Sequence, residues 1–576
     1  MKAPLHPALH LRLPAGRARV LLALLLLCFC VVTARAMYLQ VWRNDFLRQE
    51  GASRYSRILE LPAHRGMITD RYGEPLAIST PVESVWATPA EVDISPAQRH
   101  QLAALLELDD NELKRRLAET DREFVYLKRQ LAPELAAKVV QLALPGISLK
   151  REYRRYYPAG DVTAHLIGFT DVDDRGQEGL ELAYQDWLAG KPGSRRVIKD
   201  RLGRVVEDAE SIQAPVQGRD LTLAIDRKLQ YLAYRELKAA LVEHRAKAGG
   251  IVVLDVTTGE VLALTNLPAF NPNNRATLDT RRARNRAITD LFEPGSTLKP
   301  FTVAAALEAG VVEPGSVLQT SPGYLTIGSA TIHDAHPEGA LTVGQVIQKS
   351  SNVGAAKLAL SIPREALWHM LSAAGFGSSP QLGFPGEVAG RLRDYQRWRP
   401  IEQATLSYGH GISVSLLQLA RAYTVFATDG LLQPLTLLRH DEPAVGQQVM
   451  SVNTARELRA MLELVVKPGG TAPRAGIAGY RVAGKTGTAH KVAGNGYAED
   501  RYVSSFVGLA PASAPRLLVA VMIDEPSDGQ YFGGVIAGPV FRRVMTEALR
   551  MLAIPPDSPV IDTVPVEAAP EIREEA

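Results

Sequence analysis

The sequence predicts an α+β protein with an N-terminal transmembrane helix, a strand-rich spacer, and a C-terminal domain whose sheet carries a helical layer. Three observations predict it. A charge-free run from Val20 to Thr33 follows a segment whose only charges are basic. From there to about residue 220, Gly and Pro punctuate short extended runs. Beyond 221, strand patterns open and close a stretch of helical periodicity, the order expected of an α+β domain. With 46% hydrophobic and 22% charged residues among 576, the chain can bury a full core. A net charge of +3, without a Lys/Arg-rich tract interleaved with aromatics, gives no mandate for nucleic acid. Both cysteines, Cys28 and Cys30, lie in the apolar run, so the remainder forms no internal disulfide and no Cys-based zinc site.

Residues 1–19 carry Lys2, Arg12, Arg17 and Arg19 and no acid. Read as one helix from about residue 18 to 40, the apolar run spans roughly 34 Å, enough for a bilayer. The basic end is expected in the cytoplasm and the rest outside. Arg35 can snorkel at the outer end, and Tyr38 and Trp42 suit the interface. The alternative is a cleaved signal peptide, because Ala34-Arg35-Ala36 resembles a cleavage site. Apolar character resuming at Ala36-Met37-Tyr38-Leu39 favours the anchor.

In the spacer, residues 41–220, three helical patches are expected. They follow Ser95-Pro96, Asp109-Asp110-Asn111 and Ala132-Pro133-Glu134, each a capping or first-turn signal. Asp171-Val172-Asp173-Asp174-Arg175-Gly176 invites a calcium-loop reading. It fails because the fifth position is Arg175 and the twelfth is Leu182, where a bidentate Glu is required. His333 and His336 lack a partner Glu motif and are read as loop residues, not ligands.

From 221 to 553, Asp226–Leu241 has helical periodicity, and Thr257-Thr258-Gly259-Glu260 joins two apolar strands as a hairpin. Tyr502–Ala510 and Leu517–Asp524 read as strands and Val540–Leu552 as a helix. The Pro- and Glu-rich tail, 554–576, is expected to be disordered.

Three short motifs carry chemistry. In Phe292-Glu293-Pro294-Gly295-Ser296-Thr297-Leu298-Lys299, a serine and a lysine three apart share one helix face. Ser296 falls in the first turn, where free N–H groups favour a developing oxyanion, although Pro300 is awkward for a helix. Alone, S-x-x-K is weak, and the bland alternative is a capped surface helix. Ser350-Ser351-Asn352 can point a hydroxyl and a carboxamide into one cleft, or merely link and cap helices. Gly479–Thr486 satisfies the phosphate-loop pattern G-x-x-x-x-G-K-[ST]. That loop must lead into a helix, whereas Gly487-Thr488-Ala489-His490 through Gly494-Asn495-Gly496 reads as a strand and glycine-rich hairpin. A nucleotide-binding role is therefore rejected. An exposed strand here can pair with an extended peptide, with Gly487 allowing its approach and Lys485 holding a carboxylate.

Ser296-x-x-Lys299, Ser350-x-Asn352 and Lys485-Thr486-Gly487, in that order, resemble the motif set of penicillin-binding proteins and serine β-lactamases. Arg65-Gly66-Met67-Ile68-Thr69-Asp70-Arg71 and Gly176–Glu181 resemble the pedestal motifs of class B penicillin-binding proteins, which are membrane-anchored transpeptidases. Phe292–Ser296 and Ser407-Tyr408-Gly409-His410-Gly411 are closer to the septal, FtsI-like branch than to the elongation branch. His410 departs from it, since an aromatic such as Tyr is expected there.

The resemblance implies an elongated pedestal, 41–220, and a transpeptidase domain, 221–553, with a central antiparallel sheet and helices. It implies a peptidoglycan D,D-transpeptidase that cross-links stem peptides at the division septum, releases D-alanine and is inhibited by β-lactams. Ser296 is the implied nucleophile. Lys299 is its base, which requires a pKa lowered from about 10.4 toward 7–8. Ser350 relays a proton and Asn352 orients the donor. Lys485, Thr486, Gly487, Thr488 and Ser351 bind substrate, and the backbone N–H groups of Ser296 and Thr488 form the oxyanion hole. No metal or cofactor is implied. Implied partners are a SEDS-type glycan polymerase and other divisome membrane proteins. The implied location is the bacterial inner membrane at the septum, with the catalytic domain periplasmic. A D,D-carboxypeptidase or β-lactamase shares the Ser/Lys machinery but passes the acyl group to water, and the deacylating Glu motif of class A lactamases is not identifiable.

Overall fold

The computed structural model describes residues 14–44, 56–122, 124–199, 205–274, 279–440, 442–443, 445–493 and 496–559. The basic segment 1–13, the hairpin tip Gly494-Asn495 and the tail 560–576 lie outside the described residues. A helix runs from Ala15 to Met37 with no residue buried, and a π-type turn, Tyr38–Trp42, extends it. It is long and apolar enough to cross a membrane and fits a single-pass anchor.

The chain divides into two compact units, each assembled from separate stretches of sequence. The first comprises residues 1–63, 82–152 and 191–216. In it, Ser56–Leu61, Gly193–Lys199 and Val205–Gln213 form a three-stranded antiparallel sheet. The three expected helices are present as Pro96–Leu106, Asp110–Leu117 and Pro133–Gln141. Ser95 and Gln98 close a capping box, and Asp109 accepts from the N–H groups of Asn111 and Glu112. Leu102, Leu106, Leu113, Leu127 and Val139 share a core beneath them.

The second unit comprises residues 64–81, 153–190 and 217–576. By compactness it therefore includes stretches that sequence order assigns to the pedestal. Its sheet runs β2-β1-β5-β4-β3, all antiparallel, with β1 Ala248–Asp255, β2 Val261–Leu267, β3 Ala483–Ala493, β4 Gly496–Ala510 and β5 Leu517–Asp524. Every residue of β1 and β2 is buried, without alternation, so both faces are covered. Helices α1 (Arg227–Glu243) and α6 (Gly533–Met551) pack on the sheet, as does α5 (Leu416–Ala427). Asp226 caps α1 by accepting from the N–H groups of Lys228 and Leu229. The last helix starts earlier than periodicity predicts because Pro539 sits inside it and masks its first two turns.

The two pedestal motifs meet in this unit. Glu181 is fully buried and accepts from Arg65 Nε at 2.7 Å and from Arg155 Nε at 2.6 Å. Asp171 Oδ1 accepts from the backbone N–H groups of Asp173 and Arg175, so the acidic stretch is a side-chain-closed turn. The start of the C-terminal tail is not loose. Asp557 accepts from Arg481 N and Ser513 Oγ at 2.7 Å each, and Ile554 is buried. Composition reads as disorder there because it does not register these distant partners.

Candidate active site

Pro294 leads into a 3₁₀ turn, Gly295–Leu298, and helix α2 follows at Lys299–Glu308. Ser296 thus sits in the turn ahead of the α-helix, not in its first turn as the spacing implied. This placement also accommodates Pro300, which falls in the first turn of α2, where its missing N–H costs nothing. The turn is braced from inside. Thr297 Oγ1 donates to Pro294 O at 2.7 Å, and Tyr423 OH donates to Thr297 O at 2.6 Å.

Ser350 lies between helices α3 (Val343–Lys349) and α4 (Asn352–Leu360), with a left-handed φ of 61°. That conformation separates two adjacent serines. Ser350 faces the lysines. Ser351 caps α4 by accepting from Gly354 N and donates to Asp334 Oδ2 at 2.7 Å. Asp334, which also accepts from Val353 N at 2.9 Å, is a positioning residue that sequence reading missed. It lies 17 residues from Ser351 in no recognisable spacing. His333 closes a short strand, Ala330–His333, rather than lying in a loop, and its carbonyl accepts from Asn352 Nδ2 at 3.0 Å.

The third piece is β3, a strand that continues through a hairpin into β4 and not into a helix, so the phosphate-loop geometry is absent at this match. The three pieces converge. Lys299 Nζ lies 2.9 Å from Ser296 Oγ and 2.9 Å from Ser350 Oγ, and it also donates to Ser350 O. Lys485 Nζ approaches the same Ser350 Oγ from the other side at 2.9 Å. Both lysines are 0% exposed and Ser296 is 9% exposed, so one hydroxyl bridges two buried amines beside a nearly dry nucleophile.

Thr486, Gly487 and Thr488 differ in detail from expectation. Thr486 Oγ1 is turned inward, 3.1 Å from Lys485 Nζ and 2.9 Å from Thr471 Oγ1. Thr488 Oγ1 accepts from Gly533 N at 3.1 Å and keeps its own proton to donate. The approach that Gly487 allows is to the nucleophile turn. A Cβ there would lie 2.8 Å from Pro294 O and 2.9 Å from Thr297 Cγ2. Likewise, a Cβ on Gly409 would lie 2.1 Å from Gly295 O, so the 407–411 segment packs directly on that turn. A Cβ on Gly295 would lie 3.0 Å from Thr488 O, which brings the two backbones carrying the Ser296 and Thr488 N–H groups together. Beside them, burial pushes the His410 imidazole down to about 4, with the nearby Lys299 charge adding to the shift.

Fold and site together define a penicillin-binding transpeptidase domain, a buried Ser/Lys acyl-transfer centre on an α+β scaffold. Residues 249–546 match the penicillin binding protein transpeptidase domain, and residues 60–223 match the penicillin-binding protein dimerisation domain. The chain is 45% identical to the peptidoglycan D,D-transpeptidase FtsI of Escherichia coli, over 92% of each chain. It is 44% identical to the probable peptidoglycan D,D-transpeptidase PenA of Neisseria gonorrhoeae, over 95% of this chain and 94% of that one. The transpeptidase domain of penicillin-binding protein 3 from Burkholderia pseudomallei superposes with a TM-score of 0.55 at 50% identity, covering 58% of this chain and 98% of that structure. The chain belongs to the class B penicillin-binding protein family.

Proposed function

We propose that this protein is the peptidoglycan D,D-transpeptidase of the division septum, working through a Ser296 acyl-enzyme. The observation that carries the reading is Lys299 Nζ lying 2.9 Å from both Ser296 Oγ and Ser350 Oγ, with Lys485 Nζ on the far side of Ser350. Two amines buried together disfavour a second positive charge, so Lys299 can carry the free amine that a base must be. Ser296 Oγ attacks the carbonyl between the two terminal D-alanines, and its proton passes to Lys299. The backbone N–H groups of Ser296 and Thr488 receive the oxyanion. As the tetrahedral intermediate collapses, Ser350 delivers its proton to the leaving D-alanine amine and takes in its place the one that Lys299 received, 2.9 Å away, which leaves Lys299 a free amine again. An amine of a neighbouring stem peptide then attacks the acyl-enzyme. Its proton returns through Lys299 to Ser296 Oγ, and the cross-link is made.

The donor's terminal carboxylate is held by Lys485 and the Thr488 hydroxyl, while Thr486 acts through Lys485. Asn352, tied by its Nδ2 to His333 O, keeps Oδ1 for the donor's amide N–H. Ser351 supports Asn352 from the cap of α4. β-Lactams mimic the acyl-D-alanyl-D-alanine donor and acylate Ser296. The apolar N-terminal helix anchors the chain in the inner membrane, with the short basic end cytoplasmic and the catalytic domain periplasmic. Similarity to FtsI supports a septal position alongside a SEDS-type glycan polymerase and other divisome membrane proteins. The test is labelling with a fluorescent penicillin. Stable labelling of the wild type and none of Ser296→Ala is expected. Rapid turnover of the label would indicate a lactamase, and absence of labelling would refute the serine mechanism.

A further inference from the structure

Between β5 and α6, residues 525–532 form neither helix nor strand, yet they lead into the helix start that meets the active site. There Gly533 N donates to Thr488 Oγ1 at 3.1 Å, which leaves the Thr488 proton for another acceptor. This end has no slack. A Cβ on Gly533 would lie 2.4 Å from Ser505 O and 2.6 Å from Gly487 O, so a small shift of the helix start is felt directly by β3 and β4. Tyr531 adds two contacts to β4. Its carbonyl accepts from Ser504 Oγ, and its ring stacks on Tyr502 with centroids 4.1 Å apart and planes 10° from parallel.

The near end is pinned by charge. Glu525 pairs with Lys491 at 2.7 Å and with Lys247 at 3.3 Å, and its N–H donates to Tyr502 O at 2.9 Å. Between the two ends, Ser527–Gln530 is exposed, and the end of α1 is what holds it. Ser527 donates from N to His244 O and from Oγ to Arg245 O, at 2.9 Å each. His244 Nδ1 lies 2.8 Å from Asp528 Oδ2, and the histidine side chain is only 12% exposed. An ionised carboxylate only accepts, so Nδ1 carries a hydrogen and donates. Asp528 Oδ1 accepts from Gln530 N at 3.1 Å, so one carboxylate both closes the turn and receives the histidine. Among the described residues, His244 is the one side chain outside the segment that bonds to 527–530. It stands at the C-cap of α1, where the last helix carbonyls favour a donor or a positive charge.

We propose that His244 is a positioning residue for the donor's terminal carboxylate. Its bond to Asp528 fixes the segment before α6, the segment sets Gly533 N against Thr488 Oγ1, and the Thr488 proton is thereby aimed at the carboxylate. His244 itself touches no substrate and acts only through this relay of contacts. The inference rests on the transpeptidase reading above, in which Thr488 receives that carboxylate.

The test uses the full chain and two thioester donors that differ only at one end. One is an acyl-D-alanyl thioglycolate with a free carboxylate, and the other is its carboxamide. His244→Ala is expected to raise KM for the carboxylate donor about three- to tenfold, the scale of one hydrogen bond, with kcat within about twofold of wild type. KM for the carboxamide, which offers Thr488 no anion, is expected to stay unchanged. His244→Asn places an amide N–H where Nδ1 stands and is expected to restore most of the loss. Asp528→Ala, at an exposed turn, is expected to repeat the rise. The double variant is expected to be no worse than the single ones, because both act through one bond. An unchanged KM in Asp528→Ala or His244→Ala, an equal rise for both donors, additive effects in the double variant, or no recovery in His244→Asn overturns the proposal. So does a fall confined to kcat, since loss of folded enzyme lowers the active fraction and leaves KM alone. Penicillin labelling of Ser296 in the wild type separates the two readings. Its absence would refute the underlying serine mechanism, whereas stable labelling with KM indifferent to both variants would refute only the positioning role.

Discussion

Replacing Ser350 probes the site at an atom that both lysines share. Its Oγ receives Lys299 Nζ and Lys485 Nζ at 2.9 Å each, so Ser350→Ala removes two hydrogen bonds to amines at once. At about 0.5–1.5 kcal/mol for the bond to the neutral Lys299 amine and about 1.5–3 kcal/mol for the one to the charged Lys485, the pair is worth about 2–4.5 kcal/mol. A lost proton relay costs about 10²–10⁴ in rate, or about 2.7–5.5 kcal/mol of activation energy, so the two routes agree in scale. The second-order rate of Ser296 acylation by a fluorescent penicillin is therefore expected to fall by about 10²–10⁴. Because Ser350 has φ 61°, a strained region for any side chain, a fall in Ser350→Ala could be blamed on the backbone. Ser350→Gly removes the hydroxyl and relieves that strain together. It also keeps the carbonyl that Lys299 uses. Both variants are expected to be equally slow. Recovery of the rate in Ser350→Gly, or acylation of either variant within about twofold of wild type, would refute the relay.

The remaining predictions concern the buried pedestal cluster. Glu181→Gln leaves Arg65 and Arg155, at 1% and 3% exposure, without their shared counter-charge and is expected to cost about 3–5 kcal/mol, read as a lowered calorimetric midpoint. An unchanged midpoint would refute it. Burial pushes the Asp174 carboxyl up to about 6 despite Arg65 and Arg155 nearby. Above that pH the folded state holds a charge that the unfolded chain keeps solvated, a penalty of up to about 3 kcal/mol. As pH falls through about 6 the folded state takes up the proton first, and the penalty fades toward the ordinary carboxyl range near 4. Asp174→Asn is thus expected to be more stable than wild type at neutral pH, with the difference shrinking as pH falls from about 6 to about 4. His165, pushed down to about 4 by burial, runs the opposite way, losing stability as pH falls from about 6.5. The variant-minus-wild-type difference, measured by denaturant unfolding, isolates Asp174, and a difference independent of pH would refute the reasoning.

Which features were legible in the sequence follows from how each is built. Ser296–Lys299 is a local i, i+3 pair, Ser351 a local cap, and Lys485–Thr488 a local strand. Each piece meets its own backbone needs, so each could be read singly. The α+β class was legible for the same reason, since periodicity is local. What was not legible is what joins the pieces. Asp334 holding Ser351, Arg65 reaching Glu181, and Asp557 pinning the Arg481 backbone N–H are contacts across 17, 116 and 76 residues, and no spacing announces them. The assembly of the catalytic centre itself depends on backbone meeting backbone. Gly487 lies against Pro294, Gly409 against Gly295, and Gly533 against Gly487, with added Cβ atoms predicted at 2.8, 2.1 and 2.6 Å from those carbonyl oxygens. The only trace such contacts leave in sequence is a glycine, and a glycine beside Lys485 reads equally well as room for a peptide. The distinction matters for mechanism. If these glycines make room for the nucleophile turn rather than for substrate, they set the distance between Ser296 and the Thr488 N–H. Substrate recognition then falls to side chains on the open walls.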